Sequence, residues 1–209
     1  MGILANIEEI RSRARAKIEE GARTQDYQLD PEQAVGILNE ALATGIICVL
    51  RYRFHYFMAT GIHSAAVAEE FLEHANEEQQ HADLIAKRIK QLGGKPEMNP
   101  AVITGLSHSE FVEGNTLVEM LKEDLVAERI AIESYREMIR FFGEKDPTTR
   151  RMLEDILMTE EEHADELADL LFAFETDSEK SRRLYFKDEI PSTPEKTTAA
   201  SAGKKKGAN

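Results

Sequence analysis

Two Glu-x-x-His pairs, Glu78-x-x-His81 and Glu160-x-x-His163, constrain this chain more than any other feature. A helix advances about 100° per residue, so positions three apart sit one above the other on a single face. In both pairs that face is otherwise apolar. Phe71, Ala75, Ile85, Ile89 and Leu92 continue the stripe around the first pair; Leu153, Ile156, Leu167, Leu170 and Phe174 continue it around the second. A carboxylate on a buried stripe is costly unless something pairs with it. The fold must therefore bring the polar interruptions of two long helices to a common partner.

The rest of the chain reads as helix too. Gly 12 and Pro 6 are few among 209 residues, and the long periodic segments lack strand-like alternation. Residues Ile3 to about Arg23 form a short polar helix with mixed charge, which suits a solvated or docking role better than nucleic-acid contact. Asp30-Pro31 opens a first bundle helix that runs to about Thr60, with Leu38, Ala41, Leu42, Gly45, Cys48, Val49, Tyr52, Tyr56 and Ala59 facing inward. Gly61-Ile62-His63-Ser64 makes a turn with Ser64 as cap. A second helix follows to Leu92, where Gly93-Gly94 stops it.

Gly93 to Asn115 is too long for a tight link. It has about the length needed to run back along a bundle and start the next helix in the same direction. The third helix spans about Thr116 to Phe142, with Glu128 on the stripe of Leu121, Leu125, Ile132 and Tyr135. Asp146-Pro147 opens a fourth that ends near Glu175. The expected architecture is an all-α four-helix bundle with one long crossover, an extra N-terminal helix and a disordered basic C-terminal tail. Its divisions are 1–30 for the N-terminal helix and connector, 31–178 for the bundle and 179–209 for the tail.

Charge and cysteine content narrow the function. A net charge of −13 argues against a generally basic nucleic-acid binder and suits a protein that attracts cations. The charge is uneven: from Lys180 onward 8 Lys and Arg face 3 Asp and Glu, which leaves 18 against 36 in the remainder, or −18. One cysteine, Cys48, permits no intrachain disulfide. The N-terminus lacks a signal-like pattern and no apolar stretch of about 18 residues is expected to span a bilayer, so a cytoplasmic protein with no membrane partner is expected.

Glu78, Glu128 and Glu160 lie on the core faces of three helices, and His81 and His163 follow two of them by one turn. Bundle cores that hold two carboxylate-bridged metal ions take one Glu from each of two helices and Glu-x-x-His from the other two. Imidazole and carboxylate ligands suit iron or manganese. Open positions on two Fe(II) ions would admit oxygen or peroxide, which is ferroxidase chemistry. The plainer alternative is an ion-paired polar layer that sets helix register. Among the other candidates, His74 is a core histidine or a support for Glu78, and His63 and His108 are solvated loop residues. Tyr52 is a core tyrosine or a partner to a ligand, and Cys48 a small core residue.

From about Leu38 to Leu171 the chain resembles the ferritin-like superfamily, and bacterioferritins most closely. The resemblance is carried by Leu38-Asn39, Tyr52, His55, Glu78-x-x-His81-Ala82-Asp83, Asp124-Leu125-Val126-Ala127-Glu128 and Glu160-x-x-His163. It implies a di-iron ferroxidase centre in a subunit of a hollow homo-oligomeric cage that stores iron and protects against oxidative stress. By that match Glu78 and Glu160 bridge the metals, His81 and His163 are terminal imidazoles and Glu128 a terminal carboxylate. Two positions depart from the pattern. Gly45 stands where the first helix should supply a carboxylate, and Glu40 is a poor substitute because five residues add about 140° of rotation. Gln79 stands where bacterioferritins present a haem-ligating methionine, so haem is not supported. A peroxide-consuming di-metal enzyme, or a DNA-associated shell that uses the basic tail and has a centre impaired at Gly45, are the alternatives.

Overall fold

The computed structural model describes residues 6–61 and 64–185. Among these residues there are six α-helices and no strand: α1 (Ile7–Arg15), α2 (Pro31–Met58), α3 (Ser64–Gln91), α4 (Pro100–Leu106), α5 (Leu117–Phe142) and α6 (Pro147–Tyr185). Short polar side chains fix several helix starts by accepting otherwise orphaned amide protons. Asp30 accepts from Glu32 N, Asn99 from Ala101 N, Thr116 from Glu119 N and Asp146 from Thr149 N. Gly143, at φ 43°, closes α5 in a conformation that a side chain would strain.

Several boundaries differ from the sequence reading. The N-terminal helix ends at Arg15, because Ala16 turns extended and Lys17 adopts the left-handed region; a single 3₁₀ turn, Ile18–Glu20, follows. Ser64 is the first residue of α3 rather than its cap, and its hydroxyl donates to Gly61 O. The crossover contains α4, whose seven residues bury only Ile103 and are too few for a periodic stripe to show. Helix α6 continues to Tyr185, through positions read as the start of the tail. His63 and residues 186–209, with the basic end of the tail, lie outside the described residues. Two compact units are distinguished, one up to Phe174 and one from Glu175 onward.

Helix α2 corrects a further expectation. Over an 18-residue window its mean hydropathy reaches 1.6, enough by length and composition to cross a membrane, yet 56% of that window is buried inside the protein. Ala41 through Gly45 form an unbroken buried run, so α2 is apolar around most of its circumference because other elements cover it on several sides.

Side-chain bonds give the helix directions. Gly45 faces Glu78 and Ala82, whereas Tyr52, two turns further along α2, meets the earlier His74, so α2 and α3 are antiparallel. Arg88 bonds Thr149, and Glu77 bonds His163, so α3 and α6 are antiparallel as well. The crossover runs alongside α2 in the same sense: Asn39 meets Lys95 and Glu97, Thr44 meets His108, Arg51 meets Ser109 and His55 meets Val112. It thereby starts α5 in the direction of α3, as the sequence reading expects.

Two apolar clusters fill the bundle. One holds Leu38, Leu42, Ala82, Ile85, Ala131 and Ile156; the other holds Cys48, Tyr52, Phe71, Ala75, Ala127 and Leu167. On each of the four long helices the break between clusters falls at one level. That level is Gly45 on α2, Glu78 and His81 on α3, Glu128 on α5, and Glu160 and His163 on α6.

Candidate metal centre

The five sequence-predicted ligands meet in this layer. Glu78, Glu128, Glu160 and His163 present donor atoms that all lie within 4.8 Å of one another, and each residue is at most 2% exposed. His81 joins from the α3 side, its Nδ1 3.2 Å from Glu160 Oε1 and 3.4 Å from Glu78 Oε1. These approaches lack hydrogen-bond geometry. Glu78 Oε1, both oxygens of Glu160, His81 Nδ1 and His163 Nδ1 are buried without a hydrogen-bond partner. Orphaned buried donors and acceptors are rare because each forfeits its hydration. Five of them gathered in one layer make a candidate cation site.

Electrostatics points the same way. Burial and the nearby Glu78 and Glu128 carboxylates hold Glu160 well above the ordinary glutamate range. Burial likewise raises Glu128, whereas Glu78, despite its burial, is pulled below that range by His81. Three carboxylates this close cannot all be ionised without a counter-charge, and Glu128 and Glu78, with Glu77, raise His163 above the ordinary histidine range despite its burial.

Groups around the layer orient the donors. Glu77 Oε2 lies 2.6 Å from His163 Nε2. A carboxylate at this nitrogen accepts its proton and leaves the Nδ1 lone pair aimed inward, as metal-ligating histidines require. Tyr52 donates its hydroxyl proton to Glu128 Oε1. His74, 1% exposed, is a partnered core histidine: Nδ1 is 3.3 Å from the Tyr52 oxygen, and the ring stacks on His163 at 3.9 Å. Cys48 is buried, and burial pushes its thiol far above the ordinary range, as expected of a core residue rather than a ligand.

Gly45 is the gap. A Cβ there would sit 3.5 Å from Glu78 Oε2 and 3.8 Å from the Ala82 Cβ, which is ordinary contact, so the backbone comes to the site and brings no donor. Glu40 does not replace it, since it faces the crossover and bonds His108 Nε2 at 3.2 Å. His108 also bonds Ser134, so it is a bridging residue rather than a freely solvated one. Gln79 is exposed and donates to Asp83.

Sequence reasoning assigned no role to Glu77, Arg51 or Asp124. Arg51, 1% exposed, donates to Asp124 Oδ1 at 2.8 Å, to Ser109 Oγ and to Glu110 O; His55 Nδ1 lies 2.7 Å from Asp124 Oδ2. This network ties α2, α5 and the crossover together one turn from Glu128. Its signals were a charged residue inside the most apolar helix and the presence of His55 and Asp124 in the segments that carry the family resemblance.

Residues 35–176 match the family described as Ferritin-like domain. The bacterioferritin of Mycobacterium avium is 30% identical over 141 residues, which cover 67% of this chain and 84% of that protein. The DNA protection during starvation protein of Pyrococcus furiosus is 28% identical over 138 residues, 65% of this chain and 75% of its own. Among solved structures, the dodecameric thioferritin of Bacteroides fragilis, a bacterioferritin-related protein, superimposes with a TM-score of 0.70 at 34% identity. That alignment covers 73% of this chain and 92% of that one. The Dps of Thermosynechococcus elongatus, at 21% identity and a TM-score of 0.65, shares the fold.

Proposed function

Because the chain belongs to the ferritin-like family, with relatives tied at a general level to iron storage or protection, we propose that its central layer binds Fe(II) and oxidises it. The observation that carries this reading is the set of five buried atoms of Glu78, His81, Glu160 and His163 that have no hydrogen-bond partner, with Glu128 beside them. Fe(II) is the substrate here. Glu78 and Glu160 would hold two ions between them, His81 would complete one subsite, and His163 with Glu128 the other. Two Fe(II) ions give up two electrons, which reduce oxygen to the peroxide level or, with two protons, peroxide to water.

This chain's own residues supply binding and orientation. Glu77 fixes the His163 tautomer, and Tyr52 holds Glu128 by its hydroxyl. The apolar clusters on either side keep bulk water from the layer. The two subsites are unequal. The Glu128–His163 half has its donors, whereas the His81 half faces Gly45 and lacks one. Binding is therefore tighter on the first side. Assembly into a closed homo-oligomeric shell belongs to the same proposal and is supported by the dodecameric neighbour.

The test is an anaerobic Fe(II) titration of the metal-free protein, followed by exposure to oxygen or to peroxide. Two ions per chain of unequal affinity and oxidation faster than in buffer are expected. Oxidation at the buffer rate with either oxidant refutes the proposal. Turnover confined to peroxide would instead favour a peroxide-consuming enzyme.

A further inference from the structure

The gap at Gly45 has a tyrosine opposite it. Glu40 of α2 and Ser134 of α5 bond the same His108, Tyr52 bonds Glu128, and His55 bonds Asp124. Helices α2 and α5 are therefore antiparallel, and seven residues back from Tyr52 match seven residues on from Glu128. That register sets Gly45 against Tyr135. Tyr135 is 3% exposed and packs with Leu42, Ala82 and Ala131, at the edge of the apolar cluster on this side of the layer. A helical side chain leans toward the N-terminus of its own helix, which for Tyr135 is the direction of Ala131 and Glu128.

Two further observations bring the hydroxyl itself to the layer. Among the described residues it makes no hydrogen bond, although a buried tyrosine hydroxyl ordinarily finds a partner. Beyond burial, the groups that act on it most strongly are Glu160, Glu78, Cys48 and Glu128, which together hold it well above the ordinary tyrosine range. Three of these are the carboxylates of the layer, and the fourth lies one turn from Gly45. The neighbours at this level are small: a Cβ added at Gly45 would meet the Ala82 methyl at 3.8 Å. The phenol thus points at the place where α2 brings no side chain.

We propose that the phenolic oxygen of Tyr135 is the donor that Gly45 omits, a metal ligand on the His81 side of the layer. The inference rests on the proposed metal binding at this layer and names a ligand for its weaker half. A phenol binds as phenolate: the metal–oxygen bond forms as the O–H bond breaks, and the proton leaves to water. An anionic oxygen of this kind suits the same hard ions as the carboxylates do. Losing a proton makes Tyr135 a less ready ligand than the carboxylate it replaces, so the two subsites stay unequal. The bond is strongest to Fe(III), whose higher charge displaces the proton more easily than Fe(II) does.

Phenolate bound to Fe(III) gives a charge-transfer absorption in the visible, which carboxylate and imidazole ligands do not. The full metal-free chain, loaded with Fe(II) without oxygen and then exposed to it, should develop that band. Tyr135→Phe, which removes only the hydroxyl, should lose the band with its circular-dichroism spectrum and oligomer size unchanged. Tyr52→Phe, which removes the other phenol of the layer, should keep it. Oxidation above the buffer rate with no band in the native chain, or a band that survives in Tyr135→Phe, overturns the ligand and leaves the proposed function standing. Zn(II), which undergoes no redox change, separates the two ideas from the other side. In crystals of the full chain exposed to Zn(II), an anomalous-scattering peak bonded to the Tyr135 oxygen, with iron oxidised only at the buffer rate, supports the ligand and removes the proposed function. No Zn(II) in the layer overturns both.

Discussion

Replacing Gly45 separately by alanine and by glutamate divides two effects that glycine combines, backbone freedom and a missing charge. Gly45 lies mid-helix in α2, and an added Cβ meets Glu78 Oε2 at 3.5 Å and Ala82 Cβ at 3.8 Å, so a methyl group fits without displacement. Gly45→Ala should therefore recover the helix-propensity difference, about 1 kcal/mol. For a domain of this size that is roughly 2–4 °C in Tm. Gly45→Glu gains part of the same backbone term but adds a fourth carboxylate to a layer where Glu160 and Glu128 already resist ionisation. An uncompensated buried charge costs about 3–5 kcal/mol. The metal-free Glu variant should thus melt well below both the Ala variant and the native protein.

Metal should reverse that order. Under excess Fe(II) or Co(II) without oxygen, stabilisation grows as RT ln(1 + [L]/Kd), about 2.7 kcal/mol at one hundred times Kd. The metal-induced rise in Tm should be largest in Gly45→Glu, where the His81 subsite becomes complete. Differential scanning calorimetry of the three proteins, with and without metal, reads all of this. A metal-free Glu variant as stable as the Ala variant, with no added response to metal, would refute the picture of a crowded anionic layer short of one ligand.

Three other perturbations test the surrounding structure. Arg51→Met leaves Asp124 buried without its guanidinium and removes donors to Ser109 and Glu110. A loss of about 3–5 kcal/mol in denaturant unfolding is expected, partly recovered when Asp124 is also replaced by Ala. Glu77→Ala should weaken Zn(II) or Co(II) binding about 10- to 100-fold in competition titrations, because His163 loses the carboxylate that sets its tautomer; unchanged affinity would show that Glu77 is only a neighbour. Burial alone would raise the Asp146 carboxyl, but the Thr149 side chain and amide, with Arg88, hold it below the ordinary aspartate range. Its folded pKa being the lower one, its contribution is complete above about pH 4 and falls away as pH drops through the folded value. Asp146→Asn should flatten the acid limb of a stability-versus-pH curve, and an unchanged limb would assign acid sensitivity to other carboxylates.

The fold and the donor residues were legible in the sequence because both follow from helical periodicity. Glu78, His81, Glu128, Glu160 and His163 each fall on a stripe whose neighbours are apolar, and the structure buries every one of them at the level where two apolar clusters part. The crossover's length likewise foretold that α5 starts in the direction of α3. Helix α4 was not legible, since seven residues with one buried side chain leave no periodic trace. Helix α2 was read as a bundle helix from its inward stripe, and the structure adds that burial extends beyond that stripe to Ala43 and Thr44.

What the tertiary structure alone decides is the second ring of contacts. Glu77 and Glu166 sit on faces that periodicity assigns to solvent, yet each meets a histidine of the opposite helix, eighty-six and ninety-two residues away in the chain. The pairing of Arg51 and His55 with Asp124 is of the same kind. Periodicity specifies which side of a helix turns inward, because burial is a property of one helix and its environment. Which residue meets which across the bundle depends on the axial register of one helix against another. That register is fixed only when the cores interlock.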